Sequence, residues 1–213
     1  SKRVVDMFSK IKTASSFEYI LEVGGDELTI TPSQIEEWIY FDANNQIVFD
    51  RESITEFVYN LNEKYSTYNK ERQFESTLQG TITIPAGILG WAIDIEPTVD
   101  LMIEDLSAGV DVRREPVVYN TGGVPNSAND IGTSYVEIDL ANQMLYLYNE
   151  GELILSTNIV SGQTGTETVP GANAVIEMLR DTKLTGYSPR TEDDYEVPVS
   201  YWIRFDYIDQ GIH

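Results

Sequence analysis

The sequence predicts an α+β protein with two domains, a mixed α/β domain at residues 1–129 and a mainly-β domain at residues 130–213. Three observations support this prediction. The first half contains several segments with apolar residues at helical spacing. The second half contains only alternating segments, which favours a β-sheet sandwich or barrel. A stretch rich in Gly, Asn and Pro at residues 120–130 separates the halves and is typical of a linker.

The helices of the first half are indicated by apolar periodicity and by their caps. Thr31 can cap a helix that begins with Pro32, because proline has no N–H to lose in the first turn. A longer helix follows Asp50, and another begins near Pro97 and ends at Gly109. The earliest helical segment combines an apolar face with interleaved cations: Val4, Val5, Phe8 and Ile11 with Lys2, Arg3, Lys10 and Lys12.

Strands alternate with these helices. Residues 17–23 and 27–30 flank a glycine turn and predict a hairpin, and residues 81–84 and 88–95 predict two further strands. Large apolar side chains at helical or alternating spacing are usually buried. Four of them are therefore expected in the core of the first domain and not on a sugar-binding surface: Trp38, Phe57, Leu61 and Trp91.

The second half reads as strands and turns. Residues 135–140 alternate, and residues 144–148 and 153–160 flank Asn149-Glu150-Gly151-Glu152, which is a hairpin signal. A further strand is expected to begin near Val199 and to end at His213.

Composition excludes some functions. The net charge is −21, from 35 acidic and 14 basic residues, and such a surface repels nucleic-acid backbones. The chain has no cysteine, which excludes disulfides, zinc–thiolate sites and a cysteine nucleophile among these residues. A lack of disulfides fits a cytoplasmic protein and equally an exported protein of a Gram-positive bacterium.

Spacing alone reveals no catalytic group. The only histidine is His213, the last residue, and the many carboxylates are typical of a solvated surface. Gly162 and Gly165 do not form a phosphate loop, since no lysine or helix follows them. We expect neither a metal nor a cofactor. The residues by themselves therefore indicate a two-domain acidic protein.

Two ordered sets of short motifs carry a resemblance. The second half contains Tyr135-Val136-Glu137-Ile138-Asp139-Leu140, Gln143, Leu145-Tyr146-Leu147-Tyr148, Gly151, Ile159-Val160-Ser161-Gly162, Pro198, Tyr201-Trp202 and Gly211-Ile212-His213. This order resembles the L,D-transpeptidase catalytic domain. The first half contains Leu28-Thr29-Ile30-Thr31, Trp38, Arg72-x-Phe74 and Gly90-Trp91-x-Ile93-Asp94. It resembles the peptidoglycan-binding domain that often precedes that enzyme in Gram-positive bacteria.

The resemblance implies covalent acyl transfer in cell-wall cross-linking. A cysteine thiolate attacks a tetrapeptide stem, and an amine from a neighbouring stem resolves the thioester. His213 corresponds to the family's general base, and Tyr201 and Trp202 are candidate substrate contacts. The family nucleophile lies in a Ser-His-Gly-Cys segment after the Ile-His step, and this sequence ends first. The catalytic domain is thus expected to be incomplete at its C-terminus, and the 213-residue chain to be inactive.

Further expectations follow from the same resemblance. The partners are peptidoglycan stem peptides, and β-lactams of the carbapenem class would bind only the complete enzyme. The location is extracellular, at the cell wall, with a membrane anchor in an N-terminal segment outside this chain. One segment departs from the family pattern. The family usually has Thr-Pro-x-Gly before an aromatic strand, whereas Thr168-Val169-Pro170-Gly171 keeps the glycine but has its proline one position later, and residues 172–175 lack an aromatic side chain.

Two other functions remain open at this point. The chain could be a non-catalytic wall-binding or surface structural module, which is consistent with the absence of a cysteine. It could also be an acidic surface adhesin, a function that would need neither His213 nor the Tyr201-Trp202 strand.

Overall fold

A computed structural model describes residues 2–188 and 190–213. The α+β class is confirmed. The helices are α1 Lys2–Ala14, α2 Pro32–Glu37, α3 Arg51–Tyr65 and α4 Ile95–Ala108. The strands are β1 Tyr19–Val23, β2 Asp26–Ile30, β3 Ile39–Phe41, β4 Ile47–Phe49, β5 Arg72–Ser76, β6 Gly80–Ile84, β7 Trp91–Ile93, β8 Val112–Arg114, β9 Val118–Asn120, β10 Tyr135–Asp139, β11 Met144–Asn149, β12 Glu152–Asn158, β13 Glu177–Ser188, β14 Asp193–Arg204 and β15 Gly211–Ile212.

The chain packs into two compact units that interleave along the sequence. The first unit comprises residues 1–66, 91–119 and 125–128, and the second comprises residues 67–90, 120–124 and 129–213. Residues 67–90 thus precede the predicted linker but pack with the second half of the chain. The predicted boundary between two consecutive domains, at residues 129 and 130, stays a prediction.

The helix ends of the first unit agree with the predicted caps. The Thr31 side chain accepts a hydrogen bond from the Gln34 N–H at 3.3 Å, and the Asp50 carboxylate accepts one from the Glu52 N–H at 3.2 Å. Gly109 ends α4 with φ 64°, in the left-handed region where glycine has no steric penalty. Side-chain caps and a glycine stop therefore determine where α2, α3 and α4 begin or end.

The core of the first unit lies between its helices and a three-stranded sheet in the order β2-β1-β8. β1 alternates buried and half-buried residues, because one face of the sheet meets the helices. Trp38, Leu61 and Trp91 are buried, and Phe57 is half-buried with its ring centroid 5.1 Å from that of Trp38. The prediction that these four side chains belong to the core is confirmed.

The predicted strand at residues 88–95 is wrong in its length. Only Trp91–Ile93 is a strand, and α4 already begins at Ile95. The backbone N–H of Leu89 bonds to the carbonyl of Ala172 in the second unit, at 2.9 Å. Gly90 follows with φ 151° and lies so close to Tyr68 that a Cβ would come within 2.5 Å of its Cα. These two constraints divert the chain before β7.

The second unit contains two three-stranded antiparallel sheets, β10-β11-β12 and β13-β14-β15. The predicted hairpin turn is confirmed: Glu150 and Gly151 connect β11 to β12 with φ 51° and 82°. Two positive φ values in a two-residue loop match the twist of the flanking strands. Residues 131–160, all of them described, contain no helix, as the alternating pattern predicted.

A buried polar network connects the sheet of the first unit to α4. The hydroxyl of Tyr19 donates to the Asp105 carboxylate at 2.9 Å, and the Arg114 Nε lies 2.8 Å from the same oxygen. Tyr19 is fully buried, and this burial, with the nearby Asp105 charge, raises the pKa of the phenol far above its usual value. Asp105 therefore accepts a hydrogen bond from a buried phenol and forms an ion pair with a guanidinium.

We predict that Asp105→Ala lowers the free energy of unfolding of the first unit by about 2–3 kcal/mol, because it leaves two donors without their charged acceptor. Asp100→Ala is the matched control, since its pair with Arg51 is exposed and screened by solvent and should contribute little. Urea unfolding followed by circular dichroism measures both. Equal losses in the two variants would contradict the proposed role of Asp105.

Candidate active site

His213 follows the short strand β15, and its imidazole is exposed. Its ring centroid lies 6.1 Å from that of Trp202, with the two planes tilted by 37°. Gly211 fits beneath the same indole, because a Cβ at this position would come within 2.6 Å of the Trp202 ring. The structure thus brings together two predicted site residues, Trp202 and His213, and glycine permits the close approach.

The predicted strand from Val199 to His213 is wrong in its extent. β14 begins at Asp193 and ends at Arg204, and a turn separates it from β15. The reason is Asp206, a buried carboxylate in this turn. It accepts hydrogen bonds from the backbone N–H of Ile208 at 3.0 Å and of Gln210 at 2.8 Å, and also from the Gln210 side chain.

Tyr201 lies on the opposite face of β14 from Trp202, because consecutive side chains of a strand alternate. Its hydroxyl accepts a hydrogen bond from Arg180 at 2.8 Å, and the same guanidinium lies 5.1 Å from the centre of its ring. The two predicted substrate contacts are therefore adjacent in sequence but do not share a face. Only Trp202 shares a face with His213.

The loop between β12 and β13 approaches this region from another side. The Gln143 amide donates to the Ser161 hydroxyl at 2.8 Å and accepts from the Ser161 N–H at 2.9 Å, which fixes the start of the loop. Further on, the N–H of Val169 donates to the Gln210 side chain at 2.6 Å. Because Gln210 also binds Asp206, this bond joins the loop to the turn that precedes β15.

The same loop is held by residues from the first half of the sequence. The Ala172 carbonyl accepts from the Leu89 N–H at 2.9 Å, and the Ala172 N–H donates to the Pro85 carbonyl at 3.2 Å. Gly87 lies so close that a Cβ would come within 2.2 Å of the Ala172 carbonyl oxygen. Leu89, Ala172 and Ala174 form a small apolar cluster. Contacts with segment 85–89 therefore determine the shape of this loop, in which the sequence departs from the family pattern at residues 168–171.

The β5–β6 hairpin is tied to the sheet of the second unit by one carboxylate. Glu137 accepts hydrogen bonds from the Ser76 hydroxyl at 2.7 Å, from the Thr77 N–H at 3.1 Å and from the Thr77 hydroxyl at 2.5 Å. The Thr77 hydroxyl also lies 2.8 Å from that of Tyr148. Glu137 is buried, so these partners compensate its lost hydration.

A second carboxylate orders the turn between β10 and β11. Asp139 accepts from the Asn142 side chain at 2.7 Å and from the backbone N–H groups of Ala141 and Asn142 at 3.0 Å. Gln79 adds a bond of 3.2 Å from the hairpin. These hydrogen bonds, the Asn142 side chain foremost, lower the pKa of Asp139 below its usual range.

Sequence reasoning missed these positioning residues. Glu137 and Asp139 occupy alternating positions of a strand, and their burial depends on partners 60 residues away. Asp130 was assigned to a linker but is buried and lies 3.4 Å from Arg72. Only the role of Asp139 had a signal in the sequence, namely the Asp139-x-x-Asn142 spacing, which is typical of a turn stabilised by side chains.

The described residues contain no cluster of three or more His, Cys, Asp or Glu side chains that could hold a metal ion. They also contain no helix that is both long enough and apolar enough to cross a membrane. The chemical group that this site presents is an exposed imidazole beside an indole. An imidazole can accept and return a proton.

Comparison with protein families agrees with this geometry. Residues 20–112 match the family described as "Putative peptidoglycan binding domain", and residues 133–213 match the L,D-transpeptidase catalytic domain. The second match contains Trp202, Gly211 and His213. The chain thus combines a region of the peptidoglycan-binding type with a region that matches the L,D-transpeptidase catalytic domain. A search of curated proteins found no match.

Two solved structures resemble the chain over nearly its whole length. The carbamoyl enzyme of Ldtfm with avibactam is 28% identical with a TM-score of 0.84, and the alignment covers 99% of this chain and 81% of that one. A cysteine-to-serine mutant of the Enterococcus faecium L,D-transpeptidase is 28% identical with a TM-score of 0.83, covering 98% and 82%. The fold of this chain over nearly its whole length is therefore similar to that of these L,D-transpeptidases.

We predict that Asp139→Asn lowers the free energy of unfolding of the second unit at neutral pH. The difference in this free energy between the variant and the wild type should become smaller in acid. The folded state lowers the pKa of Asp139, so its contribution to stability is present above the ordinary value of 3.8 and is lost as the pH falls through the folded-state pKa. Urea midpoints at pH 7 and in acid measure this, with the exposed Asp194→Asn as control. A difference independent of pH would contradict the assignment.

Proposed function

We propose that this chain is part of a peptidoglycan L,D-transpeptidase that cross-links the cell wall by acyl transfer through a cysteine thioester. The observation that carries the proposal is His213 beside Trp202, within the residues that match the catalytic domain. A thiolate attacks the carbonyl of a tetrapeptide stem, the bond to the terminal D-alanine breaks, and an amine of a second stem later displaces the thiolate.

His213 acts in this proposal as the general base and acid. It takes the proton of the cysteine thiol, and it returns a proton to the departing amine of D-alanine. Its exposure at the end of β15 gives a second group access to the ring. The thiol comes from outside these 213 residues, which contain no cysteine, so the chain alone is inactive.

The substrate-binding surface in this proposal includes Trp202 and the loop that contains Val169. Both lie next to the β15 turn, Trp202 through its ring contact with His213 and Val169 through its hydrogen bond to Gln210. Tyr201 was predicted as a further substrate contact. This role of Tyr201 stays a prediction. Because Tyr201 lies on the other face of β14, beside Arg180, we expect it to contact a more distant part of the stem.

Exposed apolar side chains on β12 support the participation of a further segment. Every residue of β12 is exposed, including Leu153, Ile154 and Leu155, although edge strands with apolar residues are usually covered. In this proposal, a segment that carries the cysteine covers these side chains.

A cell-wall location follows from the two domains, since one of them is a peptidoglycan-binding type. We infer an exported protein of the Gram-positive type, anchored through a segment N-terminal to this chain. The stem peptides of peptidoglycan are its substrate. The avibactam adduct of a related enzyme supports reaction of the complete protein with acylating inhibitors, carbapenems among them.

The second candidate is a non-catalytic wall-binding module, which is favoured by one observation, the absence of any cysteine in the 213 residues. It gives no role to the exposed imidazole of His213. The two functions are distinguished by acylation of the longer protein.

We predict that His213→Ala, in a longer form of the protein that includes the cysteine segment, decreases acylation by a carbapenem about 100-fold or more, since a general base contributes roughly that much. The fold should persist, because His213 is exposed and follows the last residue of β15. Intact mass against time gives the rate. Tyr207→Ala, an exposed neighbour in the turn before β15, is the control and should react normally.

Near-normal acylation of the His213→Ala protein would remove this residue from the mechanism. Loss of acylation together with loss of the near-ultraviolet circular dichroism signal would instead indicate a role in folding, and would also contradict the proposal.

A further inference from the structure

The helix α1 exposes an apolar stripe that the rest of the described chain does not cover. Val4, Val5 and Phe8 are 61%, 70% and 63% exposed. Their spacing of three and four residues places them side by side along one face of the helix. Phe8 alone would be unremarkable, but three adjacent large apolar side chains on one helical face indicate a surface that binds something.

Apart from the half-buried Met7 and Ile11, the other residues of α1 are charged, polar or small. The helix carries four cations, Lys2, Arg3, Lys10 and Lys12, and one carboxylate, Asp6. The Lys12 ammonium lies 5.7 Å from the centre of the Phe8 ring and bridges to Glu36 at 2.7 Å, so a cation borders the stripe directly. The helix α1 is therefore positively charged although the whole chain has a net charge of −21, and it contains four of the 14 Lys and Arg residues.

We propose that α1 is a membrane-surface helix, which lies on an anionic lipid bilayer with Val4, Val5 and Phe8 inserted among the acyl chains and its cations at the headgroups. An apolar face next to lysine and arginine is the pattern of helices that lie in the interfacial plane. The helix has 13 residues and its polar sides carry charge, so the inference concerns contact with the surface and not a span.

Charge distinguishes this partner from the alternatives. A second copy of the chain would bring one basic stripe against another, and like charges repel. An anionic wall polymer would match the cations but would leave the apolar stripe in water. The acidic remainder of the protein is repelled by the same bilayer, but salt limits this repulsion to about 8 Å at physiological ionic strength. The attraction of the α1 cations therefore acts mainly against the acidic groups nearest to the helix, such as Glu36.

The test is co-sedimentation of the 213-residue chain with vesicles of phosphatidylglycerol and phosphatidylcholine in equal parts, and with vesicles of phosphatidylcholine alone. Binding should be at least about tenfold tighter to the anionic vesicles and should weaken as salt is added. Val5→Ser with Phe8→Ser should weaken it about tenfold or more, because two inserted apolar side chains are lost. Lys2→Glu with Arg3→Glu should abolish the preference for anionic lipid.

The matched control is Val160→Ser with Met178→Ser, two exposed apolar residues of the second unit, 95% and 73% exposed, which should bind like wild type. Equal binding to both vesicles, no binding by wild type, or full binding by the Val5/Phe8 variant would overturn the proposal. A dimer in sedimentation velocity that dissociates in that variant, without vesicle binding, would assign the stripe to a second copy. None of these results depends on transpeptidase activity.

Discussion

The buried carboxylate of Glu137 is the constraint on which the second unit depends. It accepts hydrogen bonds from Ser76 and Thr77, at the turn of the β5–β6 hairpin, and it is only 9% exposed. Burial of an unpaired carboxylate is costly, so the folded unit needs the Ser76 and Thr77 donors of the hairpin beside Glu137. Residues that precede the predicted linker are consequently part of the unit that contains the candidate active site.

The position of His213 follows from this constraint through a short series of contacts. The hairpin leads into segment 85–89, which pairs with Ala172 in the loop after β12. That loop reaches Gln210 through Val169, and Gln210 binds Asp206, whose turn determines where β15 begins. These contacts position β15, a strand of only two residues, and thereby His213 beside Trp202. The segments that precede and follow the predicted linker together define the site.

Sequence reasoning predicted the local structure well and the long-range structure poorly. Caps, glycine stops and periodicity depend on neighbouring residues, so Thr31, Gly109 and the Glu150-Gly151 turn could be predicted. The ends of β7 and β14 could not, because they depend on Ala172 and on the burial of Asp206. For the candidate site, the motif order predicted Trp202 and His213, whose side chains lie together in the structure, and their roles stay predictions. Strand alternation places Tyr201 on the other face, which could have been anticipated from its adjacency to Trp202.

Catalysis of stem-peptide cross-linking is tested most directly by incubating a disaccharide-tetrapeptide with the longer, cysteine-containing protein and with the 213-residue chain. Mass spectrometry follows the release of D-alanine and the appearance of a cross-linked dimer of two stems. The account predicts both products from the longer protein and neither from the 213-residue chain, which has no thiol. Turnover by the 213-residue chain, or binding of peptidoglycan by the longer protein without release of D-alanine, would contradict it.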